Sequence, residues 1–169
     1  MRKHCAKRCQ NVNSTRQREK RAAPETVAAI DFGPLEDSVG YLLRRAQIVV
    51  FQRFFELFAK EKVRPAQYSV LTVIEHNPGL SQTPLADTLG IKKTNLVAMI
   101  DELEERSLAR RMPTENDRRS RALFLTPKGN ALMSRLHRLD GVIDQRLTQA
   151  LSAGERRQFC VALRRVAGV

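Results

Sequence analysis

A row of polar side chains near the middle of the chain carries groups that bind phosphates and base edges. The row reads Lys92, Lys93, Thr94 and Asn95. Ammonium groups pair with phosphate oxygens, whereas hydroxyl and amide groups form hydrogen bonds with the donors and acceptors of base edges. The row therefore predicts a surface that binds nucleic acid. The alternative is that these side chains form the solvated face of an ordinary amphipathic helix.

A second cluster of charged side chains follows further along the chain. It combines one acid with three arginines: Asp117, Arg118, Arg119 and Arg121. A guanidinium group can enter the minor groove of DNA, where the potential is most negative, and a neighbouring carboxylate can hold one arginine in position. We therefore expect this cluster to reach a minor groove. A solvated, charged loop is the other interpretation of the same residues.

The first row is predicted to begin the second helix of a helix-turn-helix. Apolar residues at helical spacing are followed by a glycine: Leu85, Ala86, Leu89 and Gly90. The next segment repeats the helical spacing with Ile91, Leu96, Ile100 and Leu103, which are predicted to face the core. The outward positions then include Ala98 beside the polar row. In such a motif the second helix lies in the major groove, with its N-terminal residues at the base edges.

The arginine cluster is predicted to lie at the tip of a two-stranded hairpin. Residues 108–110 lead into a polar stretch, and the alternating sequence LFLT follows it. Alternation of apolar and polar residues on either side of a polar stretch is typical of a hairpin. A helix-turn-helix followed by a basic hairpin would place both clusters on one surface.

Together these segments resemble the winged helix of the MarR family of bacterial repressors. The hairpin is similar to the family's pattern of Asp, any residue, Arg and then Leu-x-Leu-Thr-x-x-Gly, at Asp117, Arg119, Leu123, Leu125, Thr126 and Gly129. The resemblance covers roughly residues 35–166. Two positions depart from the family: Ser107 stands where a glycine is usual before the first wing strand, and Ala98 stands where the recognition helix often has a basic residue. The resemblance implies a mainly α fold with a small β wing, in which a winged helix-turn-helix lobe joins a helical dimerisation region.

Composition limits the class of protein. The chain has 169 residues and a formal net charge of +12, which favours a polyanionic partner. Apolar runs fall short of the ~18 residues that cross a bilayer, and the basic N-terminus lacks the apolar segment of a signal peptide, so we expect a cytoplasmic protein without a membrane partner. Scattered histidines, three cysteines (Cys5, Cys9 and Cys160) and the lack of a glycine-rich phosphate loop argue against an enzyme, a metal site or a cofactor.

The chain divides into four predicted segments. Residues 1–34 form a basic arm, and its first 23 residues carry eight Lys or Arg against one Glu, which predicts disorder. Residues 35–64 form a long helix with apolar positions on two faces, and residues 65–129 form the DNA-binding lobe. Residues 130–169 contain two helices: the first starts just before this segment, at Thr126-Pro127, and the second starts at the capping box Ser152 to Glu155. The terminal helices have more apolar surface than one lobe can cover, so we expect a homodimer.

Regulation is the last expectation, and it comes from the resemblance. Family members often bind small aromatic or other anionic compounds between the dimer helices and the winged lobe. Candidate residues for such a site are Tyr41, Arg44, Arg45, Phe51 and Tyr68. Their rings are alternatively part of the core. The sequence thus predicts a repressor that binds palindromic double-stranded DNA as a homodimer and is released by an aromatic acid or its thioester. The alternative is a sequence-neutral architectural protein that binds DNA or RNA.

Overall fold

Helices and one small sheet make up the computed structural model, which describes residues 30–113 and 121–169. The two strands are antiparallel, with Ala109 opposite Leu125 and Pro113 opposite Arg121. The predicted mainly α fold with a small β wing is confirmed. Residues 1–29 of the predicted arm, with Cys5 and Cys9, and the wing-tip residues Asp117, Arg118 and Arg119 lie outside the described residues. The elements in chain order are α1 (Val39–Phe58), α2 (Pro65–His76), α3 (Gln82–Leu89), α4 (Lys93–Glu105), β1 (Ala109–Pro113), β2 (Arg121–Leu125), α5 (Pro127–Leu147) and α6 (Ala153–Ala167).

Helices α2, α3 and α4 share one core. The predicted inward positions of α4 are confirmed, because Leu96, Ile100 and Leu103 are fully buried and Ile91 packs against the same cluster. Burying one such side chain stabilises a fold by roughly 1.5 to 3 kcal/mol relative to exposing it. This core fixes the rotation of α4 and thus decides which of its side chains face outward. The same core cluster includes Val70, Leu71 and Ile74 of α2 and Leu85 and Ala86 of α3.

The turn between α3 and α4 depends on Gly90. This residue ends α3 in the left-handed conformation with a φ of 61°, which glycine adopts without steric strain. The backbone N–H of the next residue, Ile91, donates to the carbonyl of Ala86 at 2.9 Å. The chain can therefore reverse within a few residues and start α4 at Lys93, as the sequence predicts.

Helix α1 is shorter than the sequence predicts and is buried at its C-terminal end. It begins after Ser38, whose Oγ accepts a hydrogen bond from the backbone N–H of Tyr41, and short 3₁₀ turns at Gly33–Leu35 and Ala59–Glu61 flank it. Phe54 and Phe58 are its buried residues. Other large apolar residues of α1 and α6 remain exposed in the single chain. Among the described residues, none of the helices is long and apolar enough to span a bilayer.

The backbone around Leu108 joins α4, the wing and α5. The N–H of Leu108 donates to the carbonyl of Leu103 at 2.8 Å, and the carbonyl of Leu108 accepts from the N–H of Thr126 at 3.1 Å. The hydroxyl of Thr126 donates to the carbonyl of Ser107 at 2.6 Å and accepts from the N–H of Gly129 at 3.0 Å. These bonds define the Leu108 junction, which links the end of the recognition helix to the start of α5.

Ser107 occupies a backbone conformation that favours glycine. Its φ is 56°, in the left-handed region. A side chain in that region costs roughly 1 to 2 kcal/mol. Ser107 therefore adopts a conformation that a glycine would adopt without strain, and its carbonyl accepts the hydrogen bond from the hydroxyl of Thr126.

The junction predicts that Gly129→Ala destabilises the protein. A Cβ atom at Gly129 would lie 2.0 Å from the carbonyl oxygen of Leu108, so the backbone at Leu108 or at the start of α5 has to move. We expect the free energy of unfolding in urea to fall by about 1 to 3 kcal/mol. Gly141→Ala, in the same helix, is the matched control, because a Cβ atom there meets nothing within 4 Å. That control should gain about 0.5 to 1 kcal/mol. Equal stability of the two variants would contradict the close approach.

Candidate nucleic-acid interface

The N-terminal turn of α4 presents the predicted polar row to solvent. Lys92 is the N-cap residue, and Lys93, Thr94 and Asn95 occupy the first helical positions, all exposed. The first turn of a helix has backbone N–H groups without intrahelical partners, and its dipole favours negative charge. Ammonium groups beside this helix end create a site suited to phosphate. The amide of Asn95 lies one position further along, where a base edge would be reached.

Ala98 extends this surface by one helical turn. It is exposed and lies on the opposite side of α4 from the buried Leu96, Ile100 and Leu103. Its methyl group cannot form hydrogen bonds, but it can contact the methyl group of thymine. The outward face of α4 thus combines two cations, two hydrogen-bonding side chains and one small apolar contact.

The wing places Arg121 at the edge of the same lobe. Arg121 begins β2 opposite Pro113 and is exposed. The sheet is anchored to the lobe because the N–H of Leu123 donates to the carbonyl of Leu80 at 3.0 Å and its carbonyl accepts from the N–H of Gly79 at 2.8 Å. A wing with this anchor starts from a fixed position beside the helix-turn-helix.

A cleft of about 520 Å³ lies between α1, the start of α2 and the outward face of α4. This volume falls in the range of small-molecule sites. The ring of Phe51 is part of its wall, and so are Asn95 and Ala98 of the predicted DNA surface. A molecule in the cleft would therefore contact the helix that is expected to read DNA. The complete lining is Phe51, Phe55, Arg64, Pro65, Ala66, Asn95, Ala98, Met99 and Glu102.

Arg64 is a residue of this cleft that sequence reasoning missed. Its guanidinium pairs with the carboxylate of Glu102 on α4, and the same carboxylate accepts a hydrogen bond from the side chain of Gln67 at 2.8 Å. Gln67 is only 2% exposed. These polar contacts join α2 to α4 at the bottom of the cleft. Arg64 and Glu102 are far apart in the sequence and belong to no periodic pattern, so the sequence does not predict that they pair.

Three of the predicted effector residues lie along one side of α1. Tyr41, Arg44 and Phe51 follow each other at three and seven residues, a spacing that keeps them on one face of a helix, and Arg45 lies beside them. Tyr41 is half-buried, whereas both arginines and Phe51 are exposed. Neither arginine forms an ion pair with any other residue in the ranges 30–113 and 121–169. Of the three, Phe51 lines the cleft.

Tyr68, the fifth predicted effector residue, is separated from that face. Its hydroxyl lies 3.2 Å from Nδ1 of His137 on α5, and its ring makes an edge contact with Phe58 at 5.5 Å between centroids. Burial, and next the nearby carboxylate of Asp140, raise the pKa of Tyr68 to about 12. At neutral pH the phenol is therefore uncharged. Tyr68 links α2 to α5, so the structure does not bring it together with Phe51 in the cleft.

His137 extends this contact to a second residue of α2. Its Nε2 lies 2.6 Å from a carboxylate oxygen of Glu75, while its Nδ1 faces Tyr68. Burial raises the pKa of the Asp140 carboxyl on the same helix. The half-buried polar cluster of Tyr68, Glu75, His137 and Asp140 connects the DNA-binding lobe to α5. A rotation of the lobe about α5 would break these hydrogen bonds.

Comparison with known proteins gives consistent results. The family model described as "MarR family" matches residues 63–120. A putative transcriptional regulatory protein for the hcr operon of Thauera aromatica is 32% identical over 152 residues, which cover 89% of this chain and 92% of the relative. The solved structure of the transcriptional repressor CouR, bound to a 23-mer DNA duplex, is 41% identical with a TM-score of 0.78. The match covers 82% of this chain and 98% of that one.

A second solved structure shows CouR bound to p-coumaroyl-CoA. It is 38% identical with a TM-score of 0.74, and the match covers 82% of this chain and 97% of that one. The family model covers α2 to the wing, and the similarity to the relative from Thauera aromatica and to CouR extends over 89% and 82% of this chain. The relatives are regulators of transcription and not enzymes. This chain belongs to the MarR family of transcriptional regulators.

Proposed function

We propose that this protein is a repressor that binds palindromic operator DNA. The observation that carries the proposal is the outward face of α4, where Lys92, Lys93, Thr94 and Asn95 are exposed while the other face is locked in the core. This is the arrangement of a recognition helix in a major groove. The similarity to CouR, solved on a DNA duplex, supports it. The basic wing, with Arg121 and the predicted contacts Asp117, Arg118 and Arg119, would follow the adjacent minor groove.

A homodimer supplies the two-fold symmetry that a palindrome requires. Large apolar side chains at both ends of the described chain are exposed, and such a surface on a monomer favours association. Two lobes on one dimer double the number of base contacts and so provide the affinity a repressor needs at physiological salt. Such a repressor would act on chromosomal DNA in the cytoplasm. The exposed residues are Val39, Leu42, Leu43 and Val49 on α1 and Phe159, Val161 and Val166 on α6.

Substitutions at the start of α4 should separate base reading from phosphate binding. Asn95→Ala removes an amide that faces the base edges, so it should change the ranking of operator variants by about 1 to 3 kcal/mol at the affected base pair. Lys93→Ala should weaken binding to all sequences and lower the slope of log affinity against log salt by about one. Both are measured by fluorescence anisotropy with a set of operator variants over a range of salt concentrations.

Thr88→Ala, on the exposed side of α3, provides the control for handling and folding. It should leave both the ranking and the salt slope as in the wild type. If Asn95→Ala preserves the ranking of operator variants, α4 does not read bases through Asn95. If Lys93→Ala leaves the salt slope unchanged, the ammonium group is not at a phosphate.

The effector is proposed to be a thioester of an aromatic acid. The cleft beside Phe51 has apolar walls that suit an aromatic ring. Arg44 lies seven residues before Phe51 on the same face of α1, which is about 10 Å along the helix axis. A thioester of coenzyme A is long enough to place its ring at Phe51 and its phosphates at Arg44 and Arg45. The similarity to CouR, solved with p-coumaroyl-CoA, supports this class of ligand.

The position of the cleft suggests how such a ligand would release DNA. Asn95 and Ala98 belong both to the cleft wall and to the outward face of α4, so an occupied cleft restricts the helix that must enter the groove. A ligand that disfavours the DNA-bound state by ~1 to 3 kcal/mol lowers operator affinity by the corresponding factor. Tyr41, about one helical turn beyond Arg44 from Phe51, would contact the phosphate end of the ligand, and Tyr68 would act indirectly, through α5.

Substitutions along α1 should distinguish the binding of the coenzyme A part of the ligand from the binding of its aromatic ring. Arg44→Ala and Arg45→Ala should raise the Kd of p-coumaroyl-CoA by about threefold to tenfold, because they remove partly exposed phosphate contacts. They should leave the Kd of free p-coumarate unchanged. Phe51→Ala should weaken the binding of both compounds. Isothermal titration calorimetry with p-coumaroyl-CoA, p-coumarate and coenzyme A measures all three constants.

Arg53→Ala is the matched control for the arginines. Arg53 lies on α1 about 180° around the helix from Arg44, where its guanidinium is 3.9 Å from Glu56. It should bind p-coumaroyl-CoA as the wild type does. Equal losses for Arg44→Ala and Arg53→Ala would show that only general charge matters. Wild-type protein that binds none of the three compounds would exclude this ligand class.

A further inference from the structure

Arg111 connects the wing to the recognition helix through both terminal nitrogens of its guanidinium group. Its Nη1 lies 2.6 Å from the carboxylate of Asp101 and also pairs with Glu104, while Nη2 donates to the backbone carbonyl of Val97 at 3.2 Å. The backbone N–H of Arg111 donates to the other oxygen of Glu104 at 2.6 Å. All three acceptors belong to α4. The side chain is 17% exposed, so water competes little with these bonds.

The alternation of β1 separates Arg111 from its neighbour. Arg111 faces α4, whereas Arg110 is exposed on the other side of the strand, with its guanidinium carbon 5.9 Å from the centre of the Phe124 ring. The two residues have the same charge and neighbouring positions in the sequence. The sequence does not distinguish the two residues, because two adjacent arginines show no alternation of residue type.

The contacts of Arg111 require the shape of arginine. A planar guanidinium offers several N–H donors in fixed directions and can serve two carboxylates and a carbonyl at once. A lysine ammonium is a compact charge on a flexible stem and does not match this set of acceptors. The contact also offsets one of the two negative charges of Asp101 and Glu104, two acids on the helix that faces the DNA phosphates. One side chain thus fixes the angle between α4 and the wing and lowers the negative charge near the groove.

We propose that Arg111 is a positioning residue that sets operator specificity without touching DNA. It holds β1 against the recognition helix, so that the wing and the N-terminal turn of α4 reach the two grooves in the correct relative register. The inference rests on the proposed function, since it assigns a role in reading operator DNA. Loss of the contact lets the wing rotate relative to α4, which leaves phosphate contacts available but spoils their combination with base contacts.

Arg111→Lys tests the proposal, with Arg110→Lys as the matched control. Both variants keep the net charge. Arg111→Lys should weaken operator binding by about tenfold and change the affinity for nonspecific duplex DNA by less than about threefold. Arg110→Lys should keep the wild-type ratio of specific to nonspecific affinity. Binding is measured well below the melting temperature of each variant, so that a small loss of stability does not enter the ratio.

Asp101→Asn is a second variant, which changes a partner of Arg111 on α4. Charge alone predicts tighter DNA binding, because a negative group near the phosphates has been removed. Positioning by Arg111 predicts the reverse, a fall in the ratio of operator to nonspecific affinity. Electron paramagnetic resonance gives the distribution of distances between spin labels on the wing and on α4. This distribution should be broader in Asp101→Asn and Arg111→Lys and as narrow as in the wild type in Arg110→Lys.

Several results would overturn the proposal. Operator affinity of Arg111→Lys within twofold of the wild type would show that charge suffices. Equal losses on operator and nonspecific DNA would assign Arg111 to general folding or to a phosphate contact. Tighter operator binding by Asp101→Asn would favour electrostatics over positioning. The operator preference of the wild type is measured first. If the wild type does not prefer any operator, the proposed function fails as well. If the preference is kept in Arg111→Lys, only the role of Arg111 is excluded.

Discussion

The close backbone packing at the Leu108 junction is the constraint on which the rest of the lobe depends. The carbonyl of Leu108 is approached so closely by α5 that position 129 has no room for a Cβ atom. Thr126 completes the junction by accepting from the N–H of Gly129 and donating to the carbonyl of Ser107. The end of α4, both wing strands and the start of α5 are therefore fixed within one set of hydrogen bonds. The Thr-x-x-Gly part of the family pattern is explained by this packing.

Polar contacts attach the recognition helix to the other elements of the protein. The recognition helix is attached to the wing by Arg111, to α2 by the pair of Arg64 with Glu102, and through α2 to α5 by the hydrogen bond of Tyr68 with His137. The pair of Arg64 with Glu102 is exposed, so it can be exchanged for a ligand or solvent at modest cost, whereas Arg111 is only 17% exposed and keeps the wing on α4. The apolar core beneath these contacts cannot be exchanged in this way. A ligand in the cleft beside Arg64 would thus act on the attachments of the lobe and leave its fold intact.

Local patterns predicted the helices and the outward face of α4, because apolar spacing and capping residues act over a few neighbouring positions. Leu96, Ile100 and Leu103 illustrate this, since their periodicity alone determines which side of α4 is buried. Pairings between distant segments could not be predicted in the same way. In the sequence, Arg64 and Arg111 cannot be distinguished from solvated arginines, because only the fold brings them to acids of α4. Tyr68 was grouped with Phe51 by residue type, yet tertiary packing turns it towards His137.

Hydroxyl-radical footprinting on the DNA upstream of the coding region tests the central claim most directly. A dimer of winged helices that reads two half-sites should protect two patches related by two-fold symmetry, with centres one or two helical turns apart. The protection should disappear when p-coumaroyl-CoA is added at saturating concentration. Even protection along the whole duplex, or protection that persists on any sequence, would contradict a repressor and favour a sequence-neutral architectural protein.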